Sequence, residues 1–102
     1  MFVTAQGTPL TRFRRAIEQR SVFLAELAAR EAGTLSRDDA LSLVLLYAAD
    51  GSPKFERAAV RLVGRVALDA DTTLADVQLL VAALAGARTR PDVVVPLLRR
   101  LV

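Results

Sequence analysis

The residues of this chain that could do chemistry are few, and the most regular of them are cations. Lys54, Arg57, Arg61 and Arg65 recur at intervals of three and four, which places them on one side of a helix. Like charges four apart on a helix repel, at roughly 0.2–0.5 kcal/mol per pair. No acid in the same segment is well placed to relieve them; Asp69 follows Arg65 by four, the weaker orientation. Such a row is either a solvated face whose cations meet acids on neighbouring helices, or a stripe that contacts nucleic-acid phosphates. A second group, Arg12, Arg14 and Arg15, stands where a helix should start, so its charge opposes the helix dipole. It reads either as solvent-exposed charge or as the holder of an anion at that helix end.

Catalytic chemistry finds little support. The chain contains no His and no Cys, which removes the commonest general base, the commonest metal ligand and every thiolate. Ser42 lies in an apolar run, where a mid-helix hydroxyl bonds back to its own helix. Tyr47, the single Tyr, reads as a core residue whose hydroxyl reaches the edge. Asp69-Ala70-Asp71-Thr72-Thr73-Leu74 begins like a calcium loop but has Leu74 where Gly is required and Leu80 where Glu should close it. The five glycines are scattered singly, so no phosphate-cradling loop exists. The expectation is a protein that is not an enzyme, with no cofactor, no metal and no small-molecule substrate. A DNA-reading helix pair around Gly51 would display Lys54, Arg57 and Arg61, but bulky Tyr47 stands where that motif needs a small residue.

Composition points to a folded helical domain. Of 102 residues, 53% are hydrophobic and 25% charged; Ala and Leu dominate, and both enter helices at low entropic cost. The net charge of +3 is modest for a nucleic-acid binder, and the arginine excess (Lys54 is the only lysine) suits a GC-rich bacterial coding sequence. Residues 1–7 lack the basic region and apolar run of a signal peptide. The longest unbroken apolar run, from Leu79 to Ala87, is far short of the roughly 20 residues a spanning helix needs, so the expected location is the cytoplasm and no membrane is involved.

The elements that must position these residues follow from caps and periodicity. Residues 1–8 read as a flexible arm, and residues 9–102 as one domain. A first helix is expected over about 10–32, with Phe13, Ile17, Leu24 and Leu27 inward, Gly33 as its stop, and Arg14–Glu18 and Glu26–Arg30 as pairs along it. Ser36, with Asp38 and Asp39 in the first turn, starts a second over 37–49, and Gly51 ends it. Residues 41–49 are apolar on every side, so this helix must be surrounded by its neighbours. Ser52-Pro53 starts a third over 53–69, and Thr73, with Asp76 at the capping-box position, a fourth over 74–87. Within 91–102, Val95-Pro96 disfavours a helix, so a short or kinked one is expected. The fold class is all-α: a compact bundle of four to five helices, or two stacked αα-hairpins. The hairpin alternative rests on a weak repeat, in which Phe13-Arg14-Arg15-Ala16 resembles Phe55-Glu56-Arg57-Ala58 and Ser36…Asp39 resembles Thr73…Asp76.

This pattern carries more apolar side chains than a domain of its size can hide. Leu79, Ala83, Val93, Val94, Leu97, Leu98 and Leu101 are the expected partner surface, formed by the C-terminal segment with the fourth helix. The first functional expectation is therefore a protein-interaction or oligomerisation module, self-associating or meeting a protein partner. The alternative is nucleic-acid binding through Lys54, Arg57, Arg61 and Arg65 together with Arg12, Arg14 and Arg15.

Overall fold

The computed structural model describes residues 7–102. Of the arm expected over 1–8, residues 1–6 lie outside that range, and Thr8 is already an N-cap, its hydroxyl accepting the Thr11 N–H. Six helices follow: α1 Pro9–Glu18, α2 Val22–Ala32, α3 Arg37–Asp50, α4 Phe55–Ala67, α5 Leu74–Ala85 and α6 Pro91–Leu101. The class is all-α, but the count exceeds the expected four or five because the long first helix is two.

The break falls at Gln19-Arg20-Ser21, without a glycine. Arg20 adopts a left-handed conformation (φ 57°). The Ser21 N–H then donates to the Ala16 carbonyl and the Arg20 N–H to that of Ile17, the hydrogen-bond pair of a Schellman C-cap. Ser21 at once caps α2 by accepting the Leu24 N–H. The reversal resets the helical phase, so Leu24 and Leu27 do not share an inward face with Phe13. They are exposed together with Phe23, and Ala25 and Ala28 are buried instead. Against Phe13 and Ala16 of α1, these small side chains let the two helices lie close.

The remaining four helices form a ring in which α3 meets α4, α4 meets α5, α5 meets α6 and α6 returns to α3. Their core comprises Leu41, Val44 and Tyr47 of α3, Phe55, Leu62 and Val66 of α4, Leu80 and Leu84 of α5, and Leu98 of α6. The end of α6 lies beside the start of α3, as an antiparallel closure requires: Arg99 donates to the Asp38 carboxylate at 2.8 Å and to the Ser42 hydroxyl at 2.9 Å. Arg88, in the α5–α6 connection, stacks on the Phe55 ring at 4.7 Å and donates to the Ser52 carbonyl at 2.7 Å, pinning that connection to the α3–α4 turn.

The α1–α2 hairpin docks on the outer side of α3. Its core of Phe13, Ala16, Ala25 and Ala28 includes Leu46 of α3, and Leu43 packs against both cores. This accounts for an α3 that is apolar on every side. With the hairpin in place the molecule measures 49 × 31 × 21 Å.

Local signals set most helix ends. Ser36 accepts the Asp39 N–H, Thr73 and Asp76 form a reciprocal capping box, and Gly51 closes α3 at φ 68°. Ser52 accepts the Lys54 N–H, so the first turn after Pro53 belongs to a cap rather than to α4 itself. Helix α6 runs unbroken through Pro96, whose ring nitrogen deprives the Asp92 carbonyl of its helical donor. Both residues are exposed, where an unserved carbonyl costs less than it would in the core. Of the repeat, Ser36 and Thr73 do occupy equivalent places, each opening a helix pair. The Phe13 and Phe55 segments do not, since α1 opens a pair and α4 closes one.

Candidate interaction surfaces

The phase of α4 is fixed by what it buries. Phe55, Ala59, Leu62 and Val66 enter the core, which leaves Lys54, Arg57, Arg61 and Arg65 along the flank nearest α3. There they rim a groove of about 760 Å³ between α4, α3 and the α2–α3 connection. Leu35, Ala40, Leu43, Val44, Ala58 and Leu62 form its apolar floor, and no carboxylate lines it.

The four cations differ in their partners. Lys54 reaches Glu26 Oε2 at 2.7 Å, and the Tyr47 hydroxyl donates to the same oxygen at 2.6 Å. Lys54, and after it Tyr47, hold the Glu26 carboxyl below the ordinary range. Burial, reinforced by Glu26, pushes the Tyr47 phenol up, so it stays a proton donor. Tyr47 is thus a core residue with its hydroxyl at the edge, and the Ser42 hydroxyl does bond back to the Asp38 carbonyl at 3.3 Å. Arg57, Arg61 and Arg65 are exposed and make no ion pair with any described residue. Asp69, the acid nearest Arg65 in sequence, lies 3.4 Å from Arg37 instead.

The arginines of α1 lie apart from that groove. Arg12 forms a two-pronged pair with Glu31, at 2.7 and 3.3 Å. Arg14 embraces Asp39, from Nε at 3.2 Å and Nη2 at 3.0 Å, and this contact displaces the pairing with Glu18 that spacing suggested. Arg15 is exposed and makes no ion pair among the described residues. In the same way Glu26 serves Lys54 across the fold and not Arg30 along its own helix. Local i, i+4 pairs are weak enough for tertiary partners to override them.

The expected apolar surface divides. Leu98 and Ala83 belong to the core, since they occupy the inward positions of α6 and α5, and so drop out of any partner surface. Val94, Leu97 and Leu101 are half-buried against that core. Leu79 and Val93 remain exposed. Sequence reasoning missed their company: Leu74 (75% exposed), Val81 and, across on α4, Val60 (65% exposed). Val60, Val63, Val81 and Ala85 line a second groove, of about 520 Å³, between α4 and α5. The available signal was α5 itself, whose only polar residues are Asp76 and Gln78. Phe23 is the one aromatic side chain left prominently exposed among the described residues; it stands on α2, outside both grooves.

Among the described residues no helix is long and apolar enough to cross a membrane. No protein-family model, no curated protein and no solved structure matches the chain.

Proposed function

We propose that this chain is a small non-enzymatic helical interaction module that self-associates through the outer face of α5. One observation carries the reading. Helices α3 and α5 are both apolar nearly all round, and the α1–α2 hairpin covers the outer side of α3, while among the described residues no element covers that of α5. Leu74 and Val81 on one edge of that outer face, beside Val60 of α4, and Leu79 on its other edge therefore stand in water, with the exposed Ala75 and Ala82 between the two edges. Each large aliphatic side chain fully buried is worth roughly 1.5–3 kcal/mol, so these partly exposed ones together can support a modest interface. A second copy offering the same face gives a closed two-fold contact.

Sedimentation equilibrium across micromolar to millimolar protein tests this. The wild type should show a concentration-dependent dimer, and Leu79→Glu with Val81→Glu should abolish it while the helical circular dichroism stays unchanged. A wild type that stays monomeric throughout and binds no apolar-surface dye refutes the reading. A second reading, contact with nucleic-acid phosphates, draws support from the unpaired state of Arg57, Arg61 and Arg65. The small net charge and the absence of an exposed aromatic in their groove weigh against it.

A further inference from the structure

We infer that the groove between α3 and α4 is a docking site for an acidic amphipathic helix of another protein, separate from the self-association face. The inference rests on three features of one surface. First, every charged side chain lining the groove is a cation, and three of these four have no carboxylate partner among the described residues. Second, Arg57, Arg61 and Arg65 stand four residues apart, about 6 Å along the axis at each step. Carboxylates at i, i+4 and i+8 of a helix lying alongside repeat at the same interval. Third, the half-exposed side chains of Leu35, Leu43 and Ala58 give the floor an apolar strip for the other face of such a helix.

Other occupants fit less of this. A nucleic-acid duplex would use the rim and leave the floor wet, because its phosphates and sugars bring no apolar surface. A small anion with one charge would answer one arginine of three. A second copy of this chain has no matching ligand, since none of its helices carries three carboxylates on one face. The self-association face lies on the other side of α4, where Val60 and Val63 meet α5, so both surfaces can be occupied at once.

The test is fluorescence anisotropy of the full chain with a labelled, designed 16-residue helical peptide. It carries glutamates at i, i+4 and i+8 and leucines on the opposite face. The peptide should bind, and a scramble of the same composition should bind at least tenfold more weakly. Replacing its leucines by serine should cost a similar factor. Arg57→Gln, Arg61→Gln and Arg65→Gln together should also weaken binding at least tenfold, and the exposure of all three side chains leaves the fold in place. The Leu79→Glu, Val81→Glu protein should bind the peptide like the wild type, so failure of the dimer reading and failure of this one are separable. Absence of peptide binding overturns the inference, as does equal binding of the scrambled or serine peptide. A 16-base-pair duplex binding as tightly as the peptide, with affinity falling by a log–log salt slope near −0.9 per phosphate contacted, overturns it in favour of nucleic acid.

Discussion

Asp39 joins three parts of the molecule, and replacing it by asparagine is the sharpest test of how they are held. Its side chain is 8% exposed; it accepts from Arg14 on α1 at 3.2 and 3.0 Å and from the Ser36 hydroxyl at 3.0 Å, while its own N–H completes the cap of α3. Asparagine keeps the shape but removes the charge and turns an amide N–H₂ toward one of these donors. A hydrogen bond to a charged group is worth roughly 1.5–3 kcal/mol. Arg14 is largely exposed and can turn to water, so the lower part of that range applies, about 1.5–2 kcal/mol. With roughly 4–8 °C per kcal/mol in a domain of this size, the melting temperature at pH 7 should fall by about 6–16 °C. The pH dependence fixes the cause. Arg14, and after it Ser36, hold the Asp39 carboxyl below its ordinary value. A depressed carboxyl stabilises the fold fully above its unfolded pKa of about 3.9, and that stability is lost as pH falls through the lower folded value. The gap between wild type and Asp39→Asn, followed by thermal melts monitored by circular dichroism, should therefore be full at pH 7 and close progressively below about pH 4. A gap under about 0.5 kcal/mol at pH 7, or one unchanged at pH 3, would refute the account.

Two further substitutions probe other joints. Tyr47→Phe removes the donor to Glu26 and should cost about 1–2 kcal/mol by urea unfolding; carboxyl NMR should show the Glu26 pKa rising yet staying below its ordinary value, because Lys54 remains. The two glycines flanking this region should respond in opposite senses to alanine. Gly64→Ala, inside α4 with open space around it, should raise stability by about 0.5–1 kcal/mol, whereas Gly51→Ala, at φ 68°, should lower it by about 1–2 kcal/mol; calorimetric midpoints of the pair check both.

The helices that announce themselves by chemistry were legible in the chain. Ser36, Thr73 and Gly51 mark ends whose caps form within three residues of sequence, and the apolar run over 41–49 requires cover that α1, α2 and the ring supply. What escaped was decided at a distance. Arg20 in a left-handed turn gives none of the signal a glycine would, and with the break unseen the inward faces of α1 and α2 were read in one phase. Their packing by Ala16, Ala25 and Ala28 hides among alanines that are common throughout. The stripe on α4 is visible from spacing alone, since helical geometry is local. Its groove is not, because the floor comes from Leu35, Ala40 and Leu43, which reach it only through the tertiary fold. For the same reason Ala83 and Leu98 could not be told from Leu79 and Val93 before the ring closed.

Helix α3 serves as a party wall. Val44 faces the ring and Leu46 the hairpin, two residues and about 200° apart around one axis. A single residue inserted between Leu41 and Ala48 would turn everything beyond it by about 100° and unseat both cores together, since neither side can slip without the other. Changes of chain length belong instead in connections between helices, such as those at 33–36, 51–54, 68–73 and 86–90, where a residue more or less alters a loop and no helical register.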